Sequence, residues 1–227
     1  MCGRFTLALP PELIAEVIGG IEQAHIQLRY NIAPTQLIAV IRQNTDGRRH
    51  LEYLRWGLIP PWAKDASIGN HMINARSETV HEKPAFRHAF RSRRCLIPAS
   101  GFYEWRTDGG KKQPLYIQMK DRGPMIFAGL WESWRSSNNE IAESCTIITT
   151  SSNSLIQPLH DRMPVILDRN AWDTWLSPAA IREQLTPLFQ PFPSDLLDMY
   201  PVGTGVNSPR NDSPDLIEPL LQSQAEQ

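Results

Sequence analysis

The second residue of the chain is a cysteine, followed by Gly3 and Arg4. If Met1 is removed, Cys2 carries a free main-chain amine beside its thiol, which makes it a 1,2-aminothiol. An α-amine titrates near ~7.7 and a thiol near ~8.5, so neutral water would hold a useful fraction of each in its nucleophilic form. An aldehyde meeting this pair forms an imine with the amine. The thiolate then attacks the imine carbon and closes a five-membered thiazolidine ring. Taken alone, Cys2 reads equally well as an accident of the second position.

Polar residues set into apolar runs are the candidate partners, because burying them uncompensated costs free energy. In MINARSET, Asn74 and Arg76 follow Ile73; a turn asparagine and a surface arginine are the plain alternative. In ASGFYEW, Glu104 lies between Tyr103 and Trp105. If its carboxylate points inward its pKa rises, as a proton shuttle requires, although strand alternation can equally turn it to water. In PLHDRMPVIL, His160, Asp161 and Arg162 form a polar cluster ahead of an apolar run, and an imidazole there can relay protons near neutral pH. RWGLIPPW places Trp56 and Trp62 around a stiff Pro60-Pro61 pair. Trp56 reads as core, and Trp62 as an exposed ring on which an unpaired base can stack.

The elements that must position these residues read as strand-rich α+β. LIAVIR, HLEYLRWGLI, RCLIPASGFYEW, PLYIQMK, PMIFAGLWESW, SCTIITT and RMPVILD are short β-branched or aromatic runs. They are separated by turn signals at Asp46-Gly47, Asp108-Gly109-Gly110 and Ser137-Asn138-Asn139. A short helix is expected from Pro11 to the Gly19-Gly20 stop, and helical pattern returns in RNAWDTWLS and PAAIREQLTPLF. No strand-helix alternation or Gly-rich phosphate loop points to a doubly wound nucleotide fold.

With 227 residues, 41% hydrophobic and 21% charged, the chain has material for one core and lies outside the composition of disorder. No run of about 18 apolar residues spans a bilayer. Glu12, Glu16 and Pro10-Pro11 interrupt any secretion signal, so a cytoplasmic protein is expected. Cys2, Cys95 and Cys145 have neither CxxC nor zinc-ligand spacing, and Cys95 and Cys145 read as small buried hydrophobes. The net charge of −1 hides an asymmetry: residues 1–94 hold 13 Lys plus Arg against 8 Asp plus Glu, and the remainder is acidic. The densest basic stretch, PAFRHAFRSRRC, reads as a solvated face that can also supply phosphate contacts.

MCGRFT, RYNIAP, RWGLIPPW, INARSET, CLIPASGFYEW, KKQPLYI, FAGLW, LHDRMPVIL and VGTGVNSP occur in order from Met1 to about Pro209. Together they resemble the SRAP (SOS-response-associated peptidase) family, whose members are abasic-site processing proteins. The resemblance implies a single α+β domain over residues 1–227, with a mostly antiparallel, curved, barrel-like sheet core and short flanking helices. Residues from about 210 onward would form a peripheral, partly frayed tail. It implies that Met1 is removed by a self-processing peptidase activity, and that Cys2, Asn74, Glu104 and His160 are the catalytic set. Cys2 would crosslink to the ring-opened abasic deoxyribose as a thiazolidine, sealing an imine that otherwise invites lyase-type strand cleavage. Arg4, Asn31, Trp62, Arg76 and Arg162 would contact DNA. The implied partner is single-stranded DNA containing abasic sites, met by a monomer near the nucleoid or replication fork, with no cofactor, metal or membrane. Two other readings stand beside it. Class II glutamine amidotransferases also begin Met-Cys-Gly, but use an Asn-Gly pair that this chain lacks. A non-covalent single-strand-binding module would leave Cys2 idle.

Overall fold

A computed structural model describes residues 2–19 and 26–220, without the side chains of Ile18 and Asp108. Met1, Gly20 and the end of the tail, residues 221–227, lie outside the described residues. The strands are β1 (Phe5–Leu7), β2 (Arg29–Ile32), β3 (Leu37–Gln43), β4 (Arg49–Trp56), β5 (Asn74–Arg76), β6 (Arg94–Ala99), β7 (Gly101–Asp108), β8 (Lys111–Met119), β9 (Met125–Arg135), β10 (Ile141–Ser151), β11 (Arg162–Pro164) and β12 (Leu197–Pro201). Each expected extended run contributes a strand. The turns between them place Gly47, Gly109, Gly110 and Asn139 at positive φ, as their residue types allow.

Five strands close into a barrel. β10 pairs with β4, β4 with β3, β3 with β6, β6 with β9, and β9 returns to β10. All these pairings are antiparallel except β10 with β4. β10 also carries β5, parallel, and β11, antiparallel, toward its C-terminal end. A second, wholly antiparallel sheet runs β12-β8-β7-β1-β2. The chain passes from barrel to sheet between Ala99 and Gly101, where only glycine fits: a Cβ at Gly101 would lie 2.5 Å from both the Ile117 carbonyl and the Tyr116 ring.

Both faces of the second sheet are covered, and its pleat sorts the residues. Phe5 and Phe102 enter the main core, with ring centroids 5.2 Å (Phe5–Trp56), 6.0 Å (Phe5–Phe127) and 6.2 Å (Phe102–Phe127) apart. Fully burying one such ring contributes roughly 1.5–3 kcal/mol, so these contacts weld the two sheets. Tyr103 faces the other way, into a smaller cluster with Tyr116, Val202, Val206 and Leu216, against which Trp105 packs. Side-chain alternation therefore puts Glu104 on the Phe102 side.

The helices are short. α1 (Pro11–Ile18) begins with proline in its first turn and ends at Gly19, whose φ of 77° lets its amide close onto Ala15 and Glu16. α2 (Arg87–Ser92) falls in the basic stretch, followed by α3 (Trp172–Leu176) and α4 (Arg182–Leu185). The helical pattern after Pro178 breaks into α4 and a 3₁₀ turn at Thr186–Phe189, because Pro187 has no amide to donate. The solvated-face reading of the basic stretch holds for Arg87 and Arg91 and fails for its last two arginines. Arg94 is 5% exposed and donates to the carbonyls of Phe90, Arg91, Trp175 and Ser177. Arg93 pairs with buried Glu132 beside the Trp131 ring. In the described part of the tail Leu216 is 3% exposed and joins the smaller cluster, while most of its neighbours are exposed. Among the described residues no helix is long and apolar enough to cross a membrane.

Candidate active site

Cys2 continues from the start of β1 into the main core and is 0% exposed. Burial pushes its thiol far above the ordinary range, and the nearby Glu104 charge pushes it further. This environment favours the protonated thiol; the expected aminothiol belongs to the chain without Met1. The Cys2 carbonyl accepts a hydrogen bond from Asn74 Nδ2 at 2.9 Å. Asn74 begins β5, which is clasped to β10 by Ile147 N to the Ile73 carbonyl and Ser77 N to the Thr149 carbonyl. Its Oδ1 is buried and has no hydrogen-bond partner among the described residues, which leaves an unused acceptor.

Glu104 is 5% exposed. Burial pushes its carboxyl up to about 7, against the pull of the positive chain terminus, and Asp161 adds a smaller upward push. A carboxyl in that range is half ionised at neutral pH and can both take and give a proton. His160 follows a tight turn in which Asn153 Oδ1 caps the Ile156 amide and the His160 amide closes onto the Ile156 carbonyl. The Arg162 amide donates to His160 Nδ1 at 2.9 Å, while an Asp161 oxygen lies 2.8 Å from the same nitrogen. One nitrogen cannot accept from the first and donate to the second. The amide is fixed by β11, whereas the Asp161 side chain is 82% exposed and free to turn. Burial also lowers the His160 pKa. The ring is thus neutral with its proton on Nε2.

The four candidate catalytic residues come from two sources. Cys2, just ahead of β1, and Glu104, on β7, lie at the second sheet, and Asn74, on β5, and His160, just ahead of β11, at the pieces attached to β10. A hydrogen bond joins Cys2 to Asn74, and electrostatics couple Cys2 to Glu104 and Glu104 to Asp161. The site is a seam between the sheets.

The candidate DNA contacts are placed unequally. Arg4 Nη1 donates to Asn31 Oδ1 and to the Val206 carbonyl, each at 2.7 Å. Asn31 is 0% exposed, and its Nδ2 is shared among the carbonyls of Val206, Ser208 and Asn211; it holds Arg4 and does not reach the surface. Trp62 is 58% exposed, while Trp56 is sealed and donates to the Ile73 carbonyl. The Trp62 loop is anchored by Ile59 N to Ser144 Oγ at 2.8 Å and by Trp134 Nε1 to the Ala63 carbonyl at 2.7 Å. At its root Gly57 has φ 125°, and a Cβ there would lie 2.4 Å from the Gly69 carbonyl oxygen. Arg76 is exposed and makes no ion pair among the described residues. Arg162 is held by Glu78 in a two-pronged pair of 2.5 and 2.9 Å and also donates to the Thr149 carbonyl. That guanidinium keeps the Glu78 carboxyl below its usual range. Sequence reasoning missed Glu78, whose only signal is its position two residues after Arg76, and gave Asp161 a place in the polar cluster but no role. Among the described residues no group of His, Cys, Asp and Glu could hold a metal ion.

The family model described as SOS response associated peptidase (SRAP) matches residues 1–209. The chain is 46% identical over 223 residues to abasic site processing protein YoqW of Bacillus subtilis, covering 96% of this chain and 99% of that protein. It is 26% identical to abasic site processing protein YedK of Escherichia coli, covering 97% of this chain and 100% of that protein. A crystal structure of a Bacteroides thetaiotaomicron protein superposes with a TM-score of 0.86 at 27% identity, covering 97% of this chain and 100% of that one.

Proposed function

Because this chain belongs to the SOS response associated peptidase family, we propose that it processes abasic sites in single-stranded DNA through a covalent thiazolidine link at Cys2. Hydrolysis of the Met1–Cys2 bond by the chain itself comes first, since an amide nitrogen cannot form an imine. The freed amine attacks the aldehyde carbon of the ring-opened deoxyribose, and Glu104 carries a proton from nitrogen to the oxygen, giving the carbinolamine and leaving the carboxylate again. The second nitrogen proton passes to the hydroxyl by the same route while His160 Nε2–H hydrogen-bonds to that oxygen, water leaves and the imine results. The Cys2 sulfur then bonds to the imine carbon, its proton passes to the Glu104 carboxylate, and the imine electrons return to nitrogen, which takes up a proton. One water is lost overall and nothing is oxidised or reduced.

The reading rests above all on geometry: the fully buried Cys2 is tethered to Asn74 through its carbonyl, and the buried Glu104 lies close enough for its charge to push the thiol up further. A local base, and not bulk hydroxide, is what such a sulfur requires. Asn74 orients the chain end through the Cys2 carbonyl and offers Oδ1 to the sugar. Arg4, Arg76 and Arg162 hold the DNA backbone, Asn31 steadies Arg4, and Trp62 stacks on a base. The protein acts as a monomer on exposed single strands in the cytoplasm.

Denaturing electrophoresis with an abasic oligonucleotide, joined to mass measurement of the N-terminus, tests this. The wild type should lose Met1 and give a heat-stable shifted band. Cys2→Ala with Met1 removed should give strand cleavage through the imine instead. A heat-stable adduct from Cys2→Ala overturns the thiazolidine. Native binding without any covalent product would favour a simple single-strand-binding module.

A further inference from the structure

We propose that Asp212 is a positioning residue for the DNA-binding face, acting on the direction in which Arg4 presents its guanidinium. The inference rests on the proposed contact between Arg4 and DNA. Asp212 lies beyond residue 209, where the family match ends, yet its carboxylate makes three contacts on one strand. Oδ1 accepts from the amides of Tyr30 and Asn31, and Oδ2 pairs with Arg29 Nε. β2 is the edge of its sheet and its pairing with β1 is irregular between Arg29 and Ile32, so both amides are left to Asp212, which fills the place of a neighbouring strand.

What the carboxylate fastens is the segment from Val206 to Asn211. Three of its carbonyls accept from Asn31 Nδ2, and one of them, Val206, also accepts from Arg4 Nη1. Asn207 Oδ1 accepts from Trp105 Nε1 at 2.8 Å, and the Arg4 guanidinium lies 6.0 Å from the Trp105 ring centre. Both hydrogens of Arg4 Nη1 are thus held, by Asn31 Oδ1 and the Val206 carbonyl. A planar fork held at one tine has its orientation set, and Nη2 is the tine left to meet a phosphate oxygen. Both acceptors depend on the same strap: Asn31 through its amide, Val206 by belonging to it. Asp212 pins that strap to β2 at the residue immediately after Asn211. Without Asp212, Nη1 keeps its partners only as well as an unpinned segment can hold them.

The test is binding of an undamaged single-stranded oligonucleotide by fluorescence anisotropy across a range of salt, using the full chain as wild type, Asp212→Ala, Arg4→Ala and the double variant. Asp212→Ala should weaken binding by about tenfold, the size of one charge-assisted hydrogen bond. It should also flatten the salt slope by about 0.7, as expected when one fewer phosphate of a single strand is neutralised. In the Arg4→Ala background it should do neither. A merely structural role lowers the melting temperature but leaves the salt slope of the folded protein alone. Unchanged affinity and slope in folded Asp212→Ala overturn the inference, as does an effect of equal size when Arg4 is already alanine. If Arg4→Ala itself binds like wild type, the proposed Arg4 contact fails, and the positioning role fails with it. Should Asp212→Ala not fold, Asp212→Asn keeps an oxygen for the two amides, loses the charge facing Arg29, and is read in the same cycle.

Discussion

Glu104→Gln separates the ionisation of one buried carboxyl from everything else in the fold. The carboxyl has an ordinary value of 4.5 in the unfolded chain and titrates at about 7 when folded, chiefly through burial. Between those values the folded state binds more protons than the unfolded state, so this group's contribution to stability falls as pH rises. It is neutral and without penalty below pH 4.5. Above pH 7 the folded chain carries a buried anion at a cost of about 3 kcal/mol, from 1.36 kcal/mol per unit. Glutamine has nearly the same shape and never ionises. Urea unfolding of the two proteins from pH 4.5 to 8.5 should therefore show a growing advantage for Glu104→Gln, rising by about 1 kcal/mol per pH unit and levelling off above pH 7. Groups not coupled to Glu104 cancel in the difference; the Cys2 thiol and the chain terminus, which feel its charge, do not. The crosslinking rate of the variant should collapse over the same range although it is the more stable protein. A stability difference independent of pH, or one favouring the wild type at pH 8, would refute both the burial argument and the assignment of Glu104 as base.

Asn74→Ala removes the donor to the Cys2 carbonyl; stability should fall by about 1 kcal/mol and crosslinking slow by roughly tenfold to a hundredfold, read from time courses on denaturing gels. For DNA binding, three arginine–phosphate contacts give a salt slope of about −2, and Arg76→Ala should reduce it by about 0.7; an unchanged slope removes Arg76 from the interface. Gly57→Ala forces a side chain into left-handed backbone against the Gly69 carbonyl, costing about 2 kcal/mol or more. Calorimetry should find the melting temperature lower by roughly 4–8 °C.

Much of the fold is legible in the sequence because it is local. The strands follow from alternating β-branched and aromatic runs, α1 from a proline start and glycine stop, and the contrast between Trp56 and Trp62 from the proline pair between them. Closure of the barrel is not legible: it depends on a parallel pairing of Cys145 with Trp56, and no local pattern states which strand edges meet. β5 is three residues long, too short to announce itself by period. The basic stretch misleads because side-chain type says nothing about direction, and Arg94 turns inward to satisfy carbonyls at the ends of α2 and α3. Asn31 looks like a ligand residue for the same reason that it is a brace, since an amide with donors and an acceptor serves either purpose. Nor is the burial of Cys2 legible: Phe5 and Leu7, on a strand between β7 and β2, draw the start of the chain into the core.

That placement has a consequence for biosynthesis. The ribosome releases residues 2–7 long before β7, which flanks them, and before β5 and β10, which hold the Asn74 tether. Throughout that interval the sulfur stands in water with the acidity of any small thiol, open to stray aldehydes and oxidants in the cell. Its quiet state belongs only to a chain long enough to have folded those strands around it.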